Sequence, residues 1–172
     1  MAALDDYIKF LAQKPAAERE YRTLEFYHSD FSTPLRFVAD FEDIDLTLES
    51  TAPRNASTSQ TFTALAMDIQ EPSEGLEGTQ ILSCSIGATN DLLQDKMDLM
   101  TAGNAFEAIE CIYRKYYSGD SSVPILVMYL SVTRVDFDGY TKNNIVAEDQ
   151  DLASKSAGEL YTLIRFPGLE GI

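Results

Sequence analysis

Apolar and polar residues alternate with a period of two along most of this chain, and the alternation is longest over residues 123–138. Residues 125–130 are all apolar. Successive side chains of a strand point to opposite faces, so this end of the strand is expected to be covered on both sides. Beyond Leu130 the face carrying Leu126, Met128, Leu130 and Val132 turns polar at Arg134 and Asp136, while the opposite face carries Thr133, Val135 and Phe137. The pattern predicts a long central strand, doubly buried at its start and half-exposed at its end. Asp138 and Gly139 are turn residues that stop it.

At the N-terminus the period changes. Leu4, Tyr7, Ile8 and Leu11 fall at i, i+3, i+4 and i+7, a narrow apolar stripe on a short helix that Pro15 ends. Such a stripe fits packing on the helix's own domain, and it fits docking onto a neighbouring subunit. Residues 15–20 read as a polar linker, which divides the chain into a helix with linker over 1–20 and a β-rich domain over 21–172. Within that domain the period of two predicts strands near residues 21–28, 35–38, 44–48, 62–69, 80–86, 109–117, 145–147 and 160–165. Turn chemistry falls at 29–34 and 71–78, and a loop rich in small polar residues at 50–59. The strand at 109–117 is joined to the long strand by a hairpin turn over 118–122. One internal helix is expected between an Asn90 cap and Gly103, with Leu92, Leu93, Met97 and Met100 on one face. The sum is an α+β, β-rich fold: a mostly antiparallel sandwich or barrel-like sheet with an N-terminal helix and one internal helix.

Charge narrows the function. Thirteen basic against 28 acidic residues leave a net charge of −15. Nucleic-acid affinity comes largely from Lys and Arg displacing counterions, so direct binding of DNA or RNA is not expected. An acidic wall past which DNA slides remains compatible. No stretch has the length and apolarity of a membrane span, and no secretory signal is visible. Cys84 and Cys111, both inside apolar runs, read as small buried thiols rather than a disulfide.

Candidate chemistry is thin. Ser83-Cys84-Ser85-Ile86-Gly87 has the strand-to-helix setting of a nucleophile elbow, but its first glycine is replaced and the single histidine, His28, lies upstream. A Cys–His pair made from His28 with Cys84 or Cys111 lacks any sign of a helix-start thiolate. Asp136-Phe137-Asp138-Gly139 opens like a calcium loop, yet Tyr140 and Ala147 stand where oxygen ligands belong. The acidic cluster at 40–45 reads as a solvated sheet edge. No catalytic, metal or cofactor-binding residue is assigned, and no cofactor is expected.

The segment Tyr21-Arg22-Thr23-Leu24-Glu25-Phe26-Tyr27-His28, its turn through Pro34, and Leu35-Arg36-Phe37-Val38-Ala39-Asp40 resemble the opening of a family of phage tail proteins of uncharacterised function. Ile81-Leu82-Ser83-Cys84-Ser85-Ile86 and Ile112-Tyr113-Arg114-Lys115-Tyr116-Tyr117 resemble its inner strands, and Tyr161-Thr162 with Phe166-Pro167-Gly168-Leu169 its close. That family is similar in layout to the front domain of the minor tail protein L group, which builds the tail-tip hub of long-tailed phages. The resemblance implies a non-enzymatic virion subunit, a homotrimer between the distal tail ring and the central hub, with other tail proteins as partners. A non-virion assembly adaptor is the nearest alternative, and a tail-associated hydrolase is the alternative of another class. The larger relatives carry an iron–sulfur cluster in a cysteine-rich part that this chain lacks, so that cofactor is not carried over. The residues expected to meet neighbouring subunits are Leu4, Tyr7, Ile8 and Leu11 on the helix and Thr133, Val135 and Phe137 on the long strand.

Overall fold

The computed structural model describes residues 2–13, 18–74, 80–87, 95, 107–137 and 142–149. A helix, α1 (Ala2–Gln13), precedes nine strands: β1 (Glu20–Tyr27), β2 (Leu35–Val38), β3 (Ile44–Thr47), β4 (Ser59–Ala64), β5 (Met67–Glu74), β6 (Gln80–Gly87), β7 (Glu110–Tyr117), β8 (Leu126–Phe137) and β9 (Lys142–Asp149). They form one mixed sheet in the order β3-β4-β2-β1-β7-β8-β9-β6-β5. Among the described residues only the β2–β4 pair is parallel. The β-rich α+β class expected from the alternation is the class observed. Apart from Asp95, the expected internal helix over 90–103 lies outside the described residues, as does the last strand over 160–165.

The connectivity forces the sheet to curl. β4 and β5 stand seven places apart in the sheet order, a separation of about 34 Å if the sheet were flat. Leu65 and Ala66 alone join them, and the three Cα steps from Ala64 to Met67 reach at most about 11 Å. The two ends of the sheet must therefore approach each other. Leu65 N–H donates to Val38 O and Gly87 N–H donates to Ala66 O, each at 3.0 Å, tying the link to both ends. Among the described strands the curl stays open, with β3 and β5 as its edges. Side chains lace the opening: Arg22 Nη1 donates to Ile69 O at 3.5 Å, and Lys115 Nζ lies 2.6 Å from a Glu71 carboxylate oxygen.

Inside the curl lies the main core. Leu24 and Phe26 of β1, Phe37 of β2, Cys111 and Tyr113 of β7 and Leu130 of β8 meet Leu82, Cys84 and Ile86 of β6 and Ile69 of β5. A second, smaller core sits on the opposite face of β1, β2 and β7. There Val38 and Tyr116 are covered by Leu46, Leu48, Ala52 and Phe62, supplied by β3, β4 and the segment between them. Tyr116 reaches the ring of Phe62 edge-on at 6.5 Å and donates its hydroxyl to Thr47 O.

Two cores on opposite faces change which strand is doubly buried. It is β7, where residues 111–117 are all buried. β8 pairs with it as expected, but Leu126 and Tyr129 are 39 % and 40 % exposed, so its apolar start is not covered on both sides. The segment that roofs β7 meets β8 at Tyr129, whose hydroxyl donates to Glu49. Two further corrections concern the chain around residue 65. The single strand expected over 62–69 is two strands with different neighbours, and β5 runs to Glu74 through part of the expected 71–78 turn.

A bulge also breaks the expected face of β8. Val132 opposes Ala147 and Arg134 opposes Val146, leaving Thr133 as the extra residue. Alternation shifts by one beyond it. Val135 therefore returns to the inner face and packs on the main core beside Val132, while Thr133 is exposed. Thr133 and Val135 do not share a face as their spacing predicts.

Candidate functional site

Glu25 and Arg114 are fully buried on the face of β1 and β7 opposite the main core. The β1–β7 register sets Glu25 beside Ile112, two residues from Arg114 on the same face, and the β1–β2 register sets Arg36 directly across from Glu25. Arg114 Nη1 donates to Glu25 Oε2 at 3.0 Å. Its Nε and Nη2 fork onto both oxygens of Glu49 at 2.8 and 3.0 Å. Arg36 Nε donates to the same Glu25 oxygen at 3.1 Å, and its Nη1 to Gln60 at 2.9 Å. Arg54 lies 3.6 Å from the other Glu25 oxygen, donates to Glu110 at 2.6 Å, and stacks on the Tyr27 ring with its guanidinium 3.7 Å from the ring centre. Three arginines thus balance three glutamates.

The network is a clamp on residues 48–58. Glu49 and Arg54 come from that segment, and Ala52 between them plugs into the second core. The Glu49 carbonyl accepts from the N–H groups of Ala52 and Ser57, folding the segment on itself, and Asn55 and Ser57 take φ of 54° and 56° to turn it. Burial works against the charges of both Glu49 and Arg114, but their mutual hydrogen bonds outweigh it. The Glu49 carboxyl is held below its ordinary range and the Arg114 guanidinium above its own. The cluster is charge-balanced and forked at Arg114 and Glu49, although Glu25 Oε1, Arg36 Nη2 and Arg54 Nε are buried without a hydrogen-bond partner among the described residues, and it positions the segment that supplies Glu49 and Arg54.

The thiols and the histidine are separated in role. Cys84 and Cys111 are free and buried in the main core. Burial pushes the Cys84 thiol up to about 12, and burial with the neighbouring Cys84 raises Cys111 as well. His28, also buried, accepts the Asp30 N–H at Nδ1 at 3.1 Å, and its Nε2 lies 3.9 Å from a Glu107 carboxylate oxygen. Its polar partners among the described residues are Asp30 and Glu107, not a thiol. A thiol reagent at pH 8 should accordingly label neither cysteine until the chain unfolds, with a rate equal to the unfolding rate. Rapid labelling of the native protein would refute this placement.

The acidic residues at 40–45 do not converge. Asp40 pairs with Arg19 at 3.3 Å, Asp43 accepts the Ala64 N–H and Asp45 accepts the Thr61 hydroxyl. Among the described residues no cluster of His, Cys, Asp and Glu is arranged to hold a metal ion. No helix among them is long and apolar enough to cross a membrane.

Of the residues expected at subunit contacts, Leu4, Tyr7, Ile8 and Leu11 fall in α1. Tyr7 turns toward the sheet: its hydroxyl donates to Glu20 and its ring lies 6.3 Å from that of Tyr117. Burial and Glu20 raise its hydroxyl to about 12. Ile8 and Leu11 are left 55 % and 46 % exposed. On β8, Thr133 is exposed and Val135 packs inward, and Phe137 is paired in register with Asn143. The charge network has no counterpart among the expected site residues. Its signal in the sequence is slight, namely Glu25 and Arg114 within strands otherwise built of buried residues.

Fold and site together define a β-rich domain with a curled nine-stranded sheet, a clamped surface segment and an uncovered helix face. The chain belongs to the family described as a domain of unknown function (DUF1833), whose model matches residues 7–159. A search of curated proteins finds no match.

Proposed function

We propose that this protein is a structural subunit of a bacteriophage tail tip, a ring or hub component present as three copies between the distal tail and the central hub. The likeness of its strand motifs to the phage tail proteins supports the setting. The single structural observation that supports assembly is the uncovered pair Ile8 and Leu11 on α1. An apolar stripe that its own sheet engages through Tyr7 has its next turn free for a neighbour.

The experiment has two arms. Mass spectrometry of purified virions should find the chain in the particle; its absence would turn the reading toward an assembly adaptor. Ile8→Asp with Leu11→Asp should change stability by no more than about 0.5 kcal/mol, as exposed positions do. The same variant should fail to enter the tail and should not complement a deletion of the gene. Normal incorporation would remove α1 as the docking element.

A further inference from the structure

Phe41, in the β2–β3 connection, is 97 % exposed. Beside it opens a pocket of about 500 Å³ lined by Ala39, Asp40, Phe41, Ala64, Leu65, Ala66 and Met67. The pocket lies where the chain crosses from β4 to β5. The hydrogen bonds from Leu65 N–H to Val38 O and from Gly87 N–H to Ala66 O fix its walls, so it is formed before anything binds. Most of its lining is apolar, and Phe41 stands in an acidic run: Asp40 lines the pocket, and Glu42, Asp43 and Asp45 follow Phe41 in sequence and are exposed. Asp40 is partly neutralised by Arg19.

We propose that Phe41 and this pocket form a docking site for a segment of another protein that inserts a large apolar side chain and flanks it with Lys or Arg. Charge complementarity decides the occupant. A second copy of this chain would bring a net charge of −15 and set one acidic loop against another. A segment of basic flanks around an apolar anchor matches both the apolar lining and the acidic run around Phe41. The inference goes beyond the tail-tip reading and stands or falls separately from it, because it rests on residues other than Ile8 and Leu11 and its test needs no virion.

The test is selection of a random peptide library on the full-length chain, followed by affinity measurement of the enriched peptides by fluorescence anisotropy. The expected peptides share an apolar anchor with adjacent Lys or Arg. Phe41→Ala and Met67→Glu should each weaken them by about tenfold or more, and Val123→Ala, a remote exposed position, should not. Phe41 is almost wholly in solvent, so Phe41→Ala should melt as the parent does. Four results would overturn the proposal. They are no enriched family, enrichment without basic flanks, equal binding to Phe41→Ala, or self-association of the free chain that Phe41→Ala abolishes.

Discussion

Arg114→Met is expected to cost about 3–5 kcal/mol of folding stability, the range for removing one member of a buried ion pair. The loss comes less from the contacts than from what remains. Glu25 is fully buried and would keep only Arg36 at hydrogen-bond distance, with Arg54 at 3.6 Å. Glu49 would lose both of its forked hydrogen bonds. For a chain of this size the change corresponds to a melting temperature lower by roughly 10 °C. Arg114→Lys keeps the charge without the fork and should fall between. A double-mutant cycle with Glu49→Gln isolates the pair: if Arg114 and Glu49 act together, the double variant is less costly than the sum. Acid tests the same pair. Because the folded-state carboxyl of Glu49 is depressed, its contribution is complete above the unfolded value near about 4.3 and is lost as pH falls through the lower folded value. Glu49→Gln should flatten that part of the acid limb. A cost below about 1 kcal/mol for Arg114→Met, or strict additivity with Glu49→Gln, would mean that the network does not clamp the segment.

How far such a site can be read from the chain depends on where its partners lie. The helix stripe at Tyr7, Ile8 and Leu11 and the strands around Leu24, Phe37, Leu82 and Tyr113 are legible because their periods are local. The break at Leu65 and Ala66 is not. Phe62, Ala64 and Ala66 keep alternating across a point where the chain leaves one end of the sheet for the other, and only the distant partners Val38 and Gly87 mark it. The double burial of β7 was hidden by its own charges, since Arg114 and Lys115 look like solvent-facing residues until Glu49, Glu25 and Glu71 are brought to them. The unbroken apolar start of β8 looks more buried than it is, with Leu126 on one face and Tyr129 on the other both left partly exposed. A bulge moves the face at Thr133 without leaving any residue type that demands it.

Phe26→Ala and Phe62→Ala remove the same side chain from sites of equal burial, 1 % and 0 % exposed, yet they should fail differently. Phe26 lies in the main core, tilted against Phe37 at 6.3 Å, in the cluster that joins both ends of the curled sheet. A cavity there weakens every strand at once, and the expected loss is about 3–5 kcal/mol in one cooperative transition. Phe62 holds the smaller core, whose other members include Leu46, Leu48 and Ala52 of the β3 region and the clamped segment. Its removal also frees Tyr116 from one ring contact. Phe62→Ala should therefore raise hydrogen exchange first in β3, β4 and residues 48–58, leaving β6 and β9 protected. Loosening that segment also withdraws Glu49 and Arg54 from the charge network, so Phe62→Ala combined with Arg114→Met should cost less than the two separately. Uniform exchange across the sheet in Phe62→Ala, or full additivity with Arg114→Met, would show instead that the two cores open as one unit.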